Sequence, residues 1–298
     1  MSQDTLRRFI FEQKDIKGAW VSLDSSIEDL YRQQDESPAI LKQHLNESLA
    51  ASVLLSTMLK FEGMLSLQAR GDGDINVLLA ETHKGANDAI SVRGIVRTHE
   101  GRELSPKKIN LSDLLGQAHL VVSIQPDGAQ PYQGMVALEH ASLADNLSAY
   151  FVQSEQLDTY FHIASDDGRV VAFMLQRLPD SQGIDEAEAN ERWSHCVQLC
   201  QTMSNDELLS IDDQTMLYRL FHEEEIRLFD VETVRFECGC SKERMEKALI
   251  SVGQKDVMEM FTEKPSIDMR CELCGSEYNF DIGAVSELFN LTQSEQIN

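Results

Sequence analysis

The C-terminal part of the chain carries Cys238-Gly239-Cys240 and, further along, Cys271-Glu272-Leu273-Cys274. Each short motif supplies two thiols from one local turn, so four ligands need only one long-range closure, and zinc accepts four thiolates in a tetrahedron. Gly239 and Gly275 provide the permissive backbone that such turns require. Two disulfides, or a chance spacing with no bond at all, are the alternative interpretations. The pattern favours one zinc ion per chain, bound by Cys238, Cys240, Cys271 and Cys274.

The composition indicates a reducing compartment. The chain has 298 residues, of which 42% are hydrophobic and 26% are charged, enough for one large core and a small second one. No signal peptide is evident behind Met1, and the apolar stretch 49–59 is too short to span a bilayer. We therefore expect a soluble cytoplasmic protein with no membrane partner. In a reducing compartment, clustered cysteines are more often metal ligands or redox groups than structural disulfides.

The charge disfavours nucleic-acid binding. Lysine and arginine number 26 against 50 aspartate and glutamate residues, a formal net charge of −24. The stretch 231–298, which holds the cysteine motifs, is acidic as well. A zinc module that binds DNA or RNA needs a basic face for the phosphates, so no nucleic-acid partner is expected.

Nucleotide-binding and catalytic signatures are missing from the sequence. Gly71-Asp72-Gly73 lacks the third glycine of a dinucleotide loop, and no G-x-x-x-x-G-K-[ST] motif occurs. No serine, histidine and aspartate carry a recognisable local signature of a hydrolase. We expect neither a bound nucleotide nor an enzyme activity.

Residues 1–178 combine strand patterns with one long helix. A helix is predicted to begin with Ser37 as N-cap and Pro38 as first helical residue, because Leu41, Leu45, Leu49 and Val53 recur near helical spacing. Glycine and aspartate turns separate the strands, and Asp166-Asp167-Gly168 predicts a hairpin. This order predicts an α+β fold with a largely antiparallel sheet. The predicted strands are 63–70, 75–80, 90–96, 120–124, 132–138, 161–164 and 170–175.

Residues 179–232 form an acidic helical linker. One apolar stripe contains Trp193, Cys196, Val197, Cys200 and Met203, and a shorter one contains Met216, Leu217, Leu220 and Phe221. Short helices of this kind are barely stable alone and need a surface to pack on. The pattern fits a lid and a spacer equally well.

Residues 233–298 form a small domain around the metal ligands. Helices are predicted at 242–252, near 257–261 and from Ile282 onwards, with short strands at 267–269 and 278–280. So small a domain depends on its metal, because a structural zinc contributes on the order of 10 to 16 kcal/mol of coupled folding energy. Oxidation of the ligand thiols would remove the metal and unfold the domain, which makes a switch possible. A permanent structural zinc is the alternative that the spacing leaves open.

Cys196 and Cys200 lie outside the two motifs. They are four residues apart, so on a helix both thiols face the same way. Buried packing is the favoured interpretation, and a secondary redox role is the alternative. His195 would point to a different helical face, so we expect no second metal site there.

The cysteine motifs, with Ser241-Lys242-Glu243-Arg244 after the first and Gly275 after the second, closely resemble those of the bacterial redox-regulated 33 kDa chaperonins, a family of heat-shock holdases. The resemblance covers nearly the whole chain. It departs in one turn, where Asp158 stands in place of the family's usual proline. Other matching stretches are 59–63, 68–73, 93–94, 132–134, 150–151, 154–157, 175–179 and 221–225.

This resemblance implies a stress-activated chaperone. In that family the reduced, zinc-bound form is inactive, and oxidation forms disulfides within each pair, here Cys238–Cys240 and Cys271–Cys274. Zinc release then unfolds the C-terminal domain, destabilises the linker and uncovers apolar surface that binds unfolding client proteins without ATP. The oxidised form tends to be a homodimer. The alternative that the residues leave open is an accessory or regulatory protein with a structural zinc and no redox switch.

Overall fold

The computed structural model describes residues 4–12, 15–32, 37–58, 62–86, 89–99, 101, 104–105, 107–178, 185–262 and 264–295, with side chains as far as Phe289. They fall into two compact units, Met1–Glu237 and Cys238–Asn298. The matching residues 59–61 and the predicted boundary at Pro179 lie outside the described residues. Among the described residues, no helix is both long and apolar enough to cross a membrane.

The described part of the first unit contains strands and helices in mixed order. Its strands are β1 (Thr5–Phe11), β2 (Ile16–Leu23), β3 (Gly63–Arg70), β4 (Ile75–Lys84), β5 (Ile90–Thr98), β6 (His119–Pro126), β7 (Tyr132–Ala137), β8 (Thr159–Ser165), β9 (Val170–Arg177), β10 (Ile226–Leu228) and β11 (Glu232–Phe236). Its helices are α1 (Ser25–Tyr31), α2 (Ala39–Ser56), α3 (Leu111–Leu115), α4 (Leu143–Gln153), α5 (Glu186–Gln201), α6 (Asn205–Ser210) and α7 (Asp213–Phe221).

One large sheet organises this unit. Its strand order is β7-β6-β3-β4-β5-β11-β1-β2-β9-β8, and β10 pairs with β1 beside this path. The pairs are antiparallel except for β11 with β5, which is parallel. The predicted α+β class with a largely antiparallel sheet is confirmed. Residues 233–236, which were expected in the C-terminal domain, pair within this sheet.

Helix α2 begins one residue later than predicted. Pro38 has a ψ of 144°, which is outside the helical range, and its carbonyl accepts from the amides of Leu41 and Lys42. Pro38 is therefore the N-cap and Ala39 the first helical residue, so the assignment of Ser37 as N-cap was wrong. Proline has no amide hydrogen to donate, and the amide of an N-cap residue has no acceptor within the helix, so proline loses no hydrogen bond at this position.

Helix α2 fills the main core on one face of the sheet. The residues predicted to share a stripe, Leu41, Leu45, Leu49 and Val53, are all buried there. Gly94 on β5 allows this packing, because a Cβ at that position would lie 2.9 Å from Leu45 Cδ1 and 2.7 Å from the Leu79 carbonyl oxygen. The helix thus packs against strands from both halves of the sheet, including β4 and β9.

The opposite face of β1, β2, β9 and β8 is covered by α5, α6 and α7, which we call the linker helices. Alternate residues of each strand point to this side, and the aromatic side chains of Phe9, Phe11, Trp20 and Phe173 are buried beneath the helices. Both predicted linker stripes contribute to the same cluster, through Cys196, Cys200, Met203, Met216, Leu217, Leu220 and Phe221. The linker helices therefore seal an aromatic surface that would otherwise face water.

The second unit is small and built around a hairpin. It contains α8 (Lys242–Val252), α9 (Gln254–Met260), β12 (Ser266–Arg270), β13 (Glu277–Asp281) and α10 (Ile282–Glu295). Strands β12 and β13 pair antiparallel. The described buried apolar core consists of Leu249, Val257, Phe280, Val285 and Phe289. A core of this size contributes little stability by itself, so the adjoining thiol cluster gains importance.

Candidate metal centre

The four cysteines predicted as ligands converge in the second unit. The Sγ atoms of Cys238, Cys240, Cys271 and Cys274 all lie within 4.8 Å of one another. The Sγ of Cys238 is 3.6 Å from that of Cys271, and the Sγ of Cys240 is 3.3 Å from that of Cys274. All four are free thiols. Cys271 and Cys274 are buried, whereas Cys238 and Cys240 are partly exposed.

Local hydrogen bonds shape the turn of the first motif. Ser241 is the N-cap of α8 and its side chain accepts from the Arg244 amide, which fixes the chain just after Cys240. The Arg244 Nη1 donates to the Gly239 carbonyl oxygen at 2.7 Å. The guanidinium thus ties the peptide between the two thiols to the helix that follows them.

The second motif occupies the tip of the β12–β13 hairpin. The Cys271 amide donates to the Ser276 carbonyl oxygen, and the Gly275 amide donates to the Cys271 carbonyl oxygen, both at 2.8 Å. Gly275 has a φ of +71°, a conformation that favours glycine. The hairpin therefore holds both thiols on one side of a tight loop.

Polar groups around the thiols tune their ionisation. Burial raises the pKa of the Cys238 and Cys271 thiols above the ordinary value. Burial acts in the same direction on Cys274, but hydrogen bonds with the side chain and backbone of Ser276 outweigh it and lower the pKa to about 7. The Tyr278 hydroxyl donates to the Cys240 Sγ at 3.0 Å. Sequence reasoning assigned no role at the site to Tyr278, Ser276 or Arg244, although all three lie within five residues of a ligand.

The arrangement fits a metal ion. A tetrahedral zinc with Zn–S bonds of about 2.3 Å would place its sulfurs about 3.8 Å apart. The observed separations of 3.3 and 3.6 Å are close to that value. The donor set is all sulfur, which suits a soft or borderline ion such as zinc over magnesium or calcium. The four cysteines can therefore hold a metal ion, in keeping with zinc.

The linker helices form a second candidate functional element, in the first unit. The Arg7 side chain on β1 pairs with Asp213 at the start of α7 at 2.8 Å. Arg192 on α5 lies 3.5 Å from the buried Asp15 carboxylate, just before β2. The Arg169 Nη1 donates to the Leu209 carbonyl oxygen at the end of α6. Each linker helix is thus fastened to the rest of the unit by at least one arginine contact in addition to its apolar stripe.

These features define a class of protein: a large α+β unit with an apolar surface covered by short helices, followed by a small unit with a four-thiol cluster that can hold a metal ion. Residues 4–281 match the family described as Hsp33 protein. The chain belongs to the Hsp33 family of heat-shock chaperonins, and such a chaperone binds unfolded client proteins.

Curated relatives support the same assignment. The chain is 39% identical to the 33 kDa chaperonin of Pseudomonas syringae pv. tomato over 287 residues, which cover 96% of this chain and 93% of that protein. It is 38% identical to the 33 kDa chaperonin of Pseudomonas fluorescens Pf0-1, with 97% and 94% covered. The crystal structure of the 33 kDa chaperonin from Thermotoga maritima superposes with a TM-score of 0.82 at 20% identity, covering 98% of this chain and all of that one.

Proposed function

We propose that this chaperone is a redox-regulated, ATP-independent holdase that is inactive when reduced and active when oxidised. The observation that carries the proposal is the pairing of two elements: a four-thiol cluster in a unit with a small core, and short linker helices over an aromatic surface. The first element can sense an oxidant. The second can release binding surface when its support is lost.

Cys238, Cys240, Cys271 and Cys274 would bind one zinc ion in the reduced protein. When bound, zinc holds the thiols ionised and joins the two motifs, which stabilises the unit. Hydrogen peroxide would oxidise Cys238 with Cys240 and Cys271 with Cys274. In each pair two thiolates lose two electrons and one S–S bond forms, while one peroxide takes up these electrons and two protons from the solvent and becomes two water molecules. The ligands are then gone and the second unit loses its main support.

The bridges within each pair are proposed because each closes a very short loop and because the family resemblance implies them. Two close thiol contacts in the fold run between the pairs, from Cys238 to Cys271 and from Cys240 to Cys274. Peptide mapping of the oxidised protein therefore decides between two pairings of the same four residues.

The linker helices would then act as the lid. Helices α6 and α7 have six and nine residues, below the roughly 12 residues at which an isolated helix becomes stable in water. They hold their shape through packing on the sheet, and the chain runs from α7 through β10 and β11 directly into Cys238. Unfolding of the second unit would remove the end restraint on this segment. Clients would bind the uncovered aromatic surface.

The experiment couples three readouts on one sample. The reduced protein is expected to carry one zinc per chain, and peroxide at heat-shock temperature is expected to release it, form two disulfides and suppress aggregation of a thermally unfolding client enzyme without ATP. Zinc that stays bound, or zinc release with no gain in suppression, would refute the switch. The second outcome would support the alternative of a structural zinc in an accessory or regulatory protein.

The proposal also specifies the setting and partners. The resting thiols require a reducing compartment, so the protein would act in the cytoplasm. The oxidised form would be a homodimer, measured as a doubling of mass by light scattering on activation. With a net charge of −24 the surface repels nucleic acid, so we propose neither nucleic acid nor membrane as a partner, and no enzymatic reaction.

A further inference from the structure

We infer that Cys196 and Cys200 form a second oxidation site, closed in the resting fold, which becomes a disulfide only after helix α5 has left the sheet and unwound. The inference rests on the proposed function, because it takes opening of the linker helices under peroxide as its starting point. It concerns two thiols that lie in the first unit, outside the metal centre.

In the resting fold both thiols are closed to oxidants. Cys196 and Cys200 are each 0% exposed and lie in the apolar cluster that joins α5 to the sheet. Burial raises the pKa of Cys196 to about 12 and that of Cys200 well above the ordinary value. Since the thiolate is the reactive form, neither cysteine can react: oxidants cannot reach the sulfur, and the thiol stays protonated. His195 next to them is exposed on another face, as its position on the helix predicted.

Helix α5 itself prevents the bridge. Both cysteines lie inside Glu186–Gln201, four residues apart. Side chains at this spacing have Cβ atoms about 5–6 Å apart, whereas a disulfide needs about 3.5–4.5 Å. Oxidant that reached the pair would therefore meet a helix that cannot accept the bond. The reaction requires both exposure and unwinding, so it reports the open state.

Opening removes both barriers together. An exposed thiol has a pKa of about 8.5, so the thiolate population of Cys196 at neutral pH rises about 3 × 10³-fold from its value at a pKa of about 12. Hydrogen peroxide then oxidises the two thiols: one S–S bond forms, two protons and two electrons are lost, and two water molecules are produced. A regular helix holds residues four positions apart too far from each other for this disulfide. Helix α5 cannot re-form, and the lid stays open until the bridge is reduced.

The test follows all six thiols of the unmodified chain during activation. Samples are denatured at intervals in iodoacetamide and mapped by peptide mass spectrometry, alongside zinc release, client aggregation and hydrogen exchange in α5. We expect six thiols to be lost instead of four, with the Cys196–Cys200 bridge appearing after α5 loses protection. Two reduced thiols at positions 196 and 200 in fully active protein would overturn the inference and leave the proposed function standing. So would a bridge that forms before α5 opens. Absence of both zinc release and activity would overturn the proposed function, and the inference with it.

A matched variant tests the consequence for the lid. The double change Cys196→Ala and Cys200→Ala should release zinc with the same time course as the unmodified chain and should still become active under peroxide. After transfer to glutathione with zinc, it should lose activity sooner, because it has two bridges to reduce instead of three. Equal rates of inactivation would show that the bridge does not hold the lid open. The mapping experiment uses the unmodified chain, so it stands even if the variant fails to fold.

Discussion

Truncation of Phe221 should open the lid without any oxidant. Phe221 is the last residue of α7, is 2% exposed, and meets the ring of Phe11 edge to face at a centroid distance of 5.3 Å. Replacement of a buried phenylalanine by alanine costs about 3–5 kcal/mol, and the lost aromatic pair is part of that sum. At about 1.4 kcal/mol per tenfold change, the equilibrium between closed and open linker shifts roughly 10²- to 4 × 10³-fold towards open. Helix α7 has only nine residues with which to resist this shift.

The assay compares F221A with the unmodified chain under reducing conditions, with zinc bound throughout. Client aggregation is followed by light scattering, and hydrogen exchange is measured in peptides from α5, α6 and α7. We expect suppression of aggregation without peroxide, loss of protection in the linker helices, and an unchanged zinc content.

The control is Phe161→Ala. Phe161 lies on β8, is also buried, and packs against Phe151 on the opposite face of the same sheet. A similar cavity there should lower the melting temperature without activating the chaperone. The reasoning is refuted if F221A loses linker protection and stays inactive, or if both variants become active to the same degree.

Three further predictions concern the lid and the metal centre. Arg192→Leu leaves the buried Asp15 carboxylate without the arginine, so it should destabilise the closed lid by about 3 kcal/mol. The second change Asp15→Leu removes the buried charge and should restore much of that stability. Urea unfolding of the unmodified chain, the single variant and the double variant measures both differences. Tyr278→Phe removes the donor to the Cys240 Sγ and should weaken zinc binding about tenfold in competition with a chromophoric chelator, and an unchanged affinity would show that this hydroxyl is dispensable. Zinc affinity should fall as the pH is lowered from 8 to 6. Burial raises the pKa of Cys238 and Cys271, so the metal-free site binds more protons than the metal-bound site, and these protons compete with zinc. A zinc affinity that does not change between pH 8 and pH 6 would contradict this linkage.

The four-thiol cluster could be predicted from the sequence because its cysteines come in two local pairs. Spacing alone located all four thiols that converge in the fold. The hydrogen bonds from Tyr278 and Arg244 could not be predicted in the same way, since they depend on how β13 and α8 are placed around the turns. A tyrosine or arginine a few residues from a ligand has many possible orientations, and packing selects one.

The strands were predicted well where one face is buried and turns punctuate the pattern. β3 has the bounds expected from the alternation of Leu65, Leu67 and Ala69, and the Asp166 turn joins β8 to β9 as a hairpin. Strands β1, β2, β10 and β11 were missed. Strand β1 pairs with β10 and β11 across more than 200 positions, as in Thr5 with Thr233, and no local pattern carries that information.

One overlooked signal would have favoured the lid over the spacer. Residues 170–176 on β9 are buried without interruption, and the first six form a continuous apolar run, Val170-Val171-Ala172-Phe173-Met174-Leu175. A strand with one wet face alternates, whereas a continuous run indicates that both faces are covered. The linker helices cover the second face of β9. The sequence had shown their apolar stripes but not the surface on which these stripes pack.

The position of β11 constrains how the chain can fold during synthesis. This strand lies between β5 and β1 and joins the two halves of the sheet, yet residues 232–236 leave the ribosome after β1 to β10. Until then the edges of β5 and β1 that receive β11 lack this partner, and unpaired strand edges of this kind template aggregation. Helix α2 is already available to hold the halves together, because it packs on strands of both. During synthesis this chaperone must therefore avoid aggregation through its own incomplete sheet before it can prevent the aggregation of other proteins.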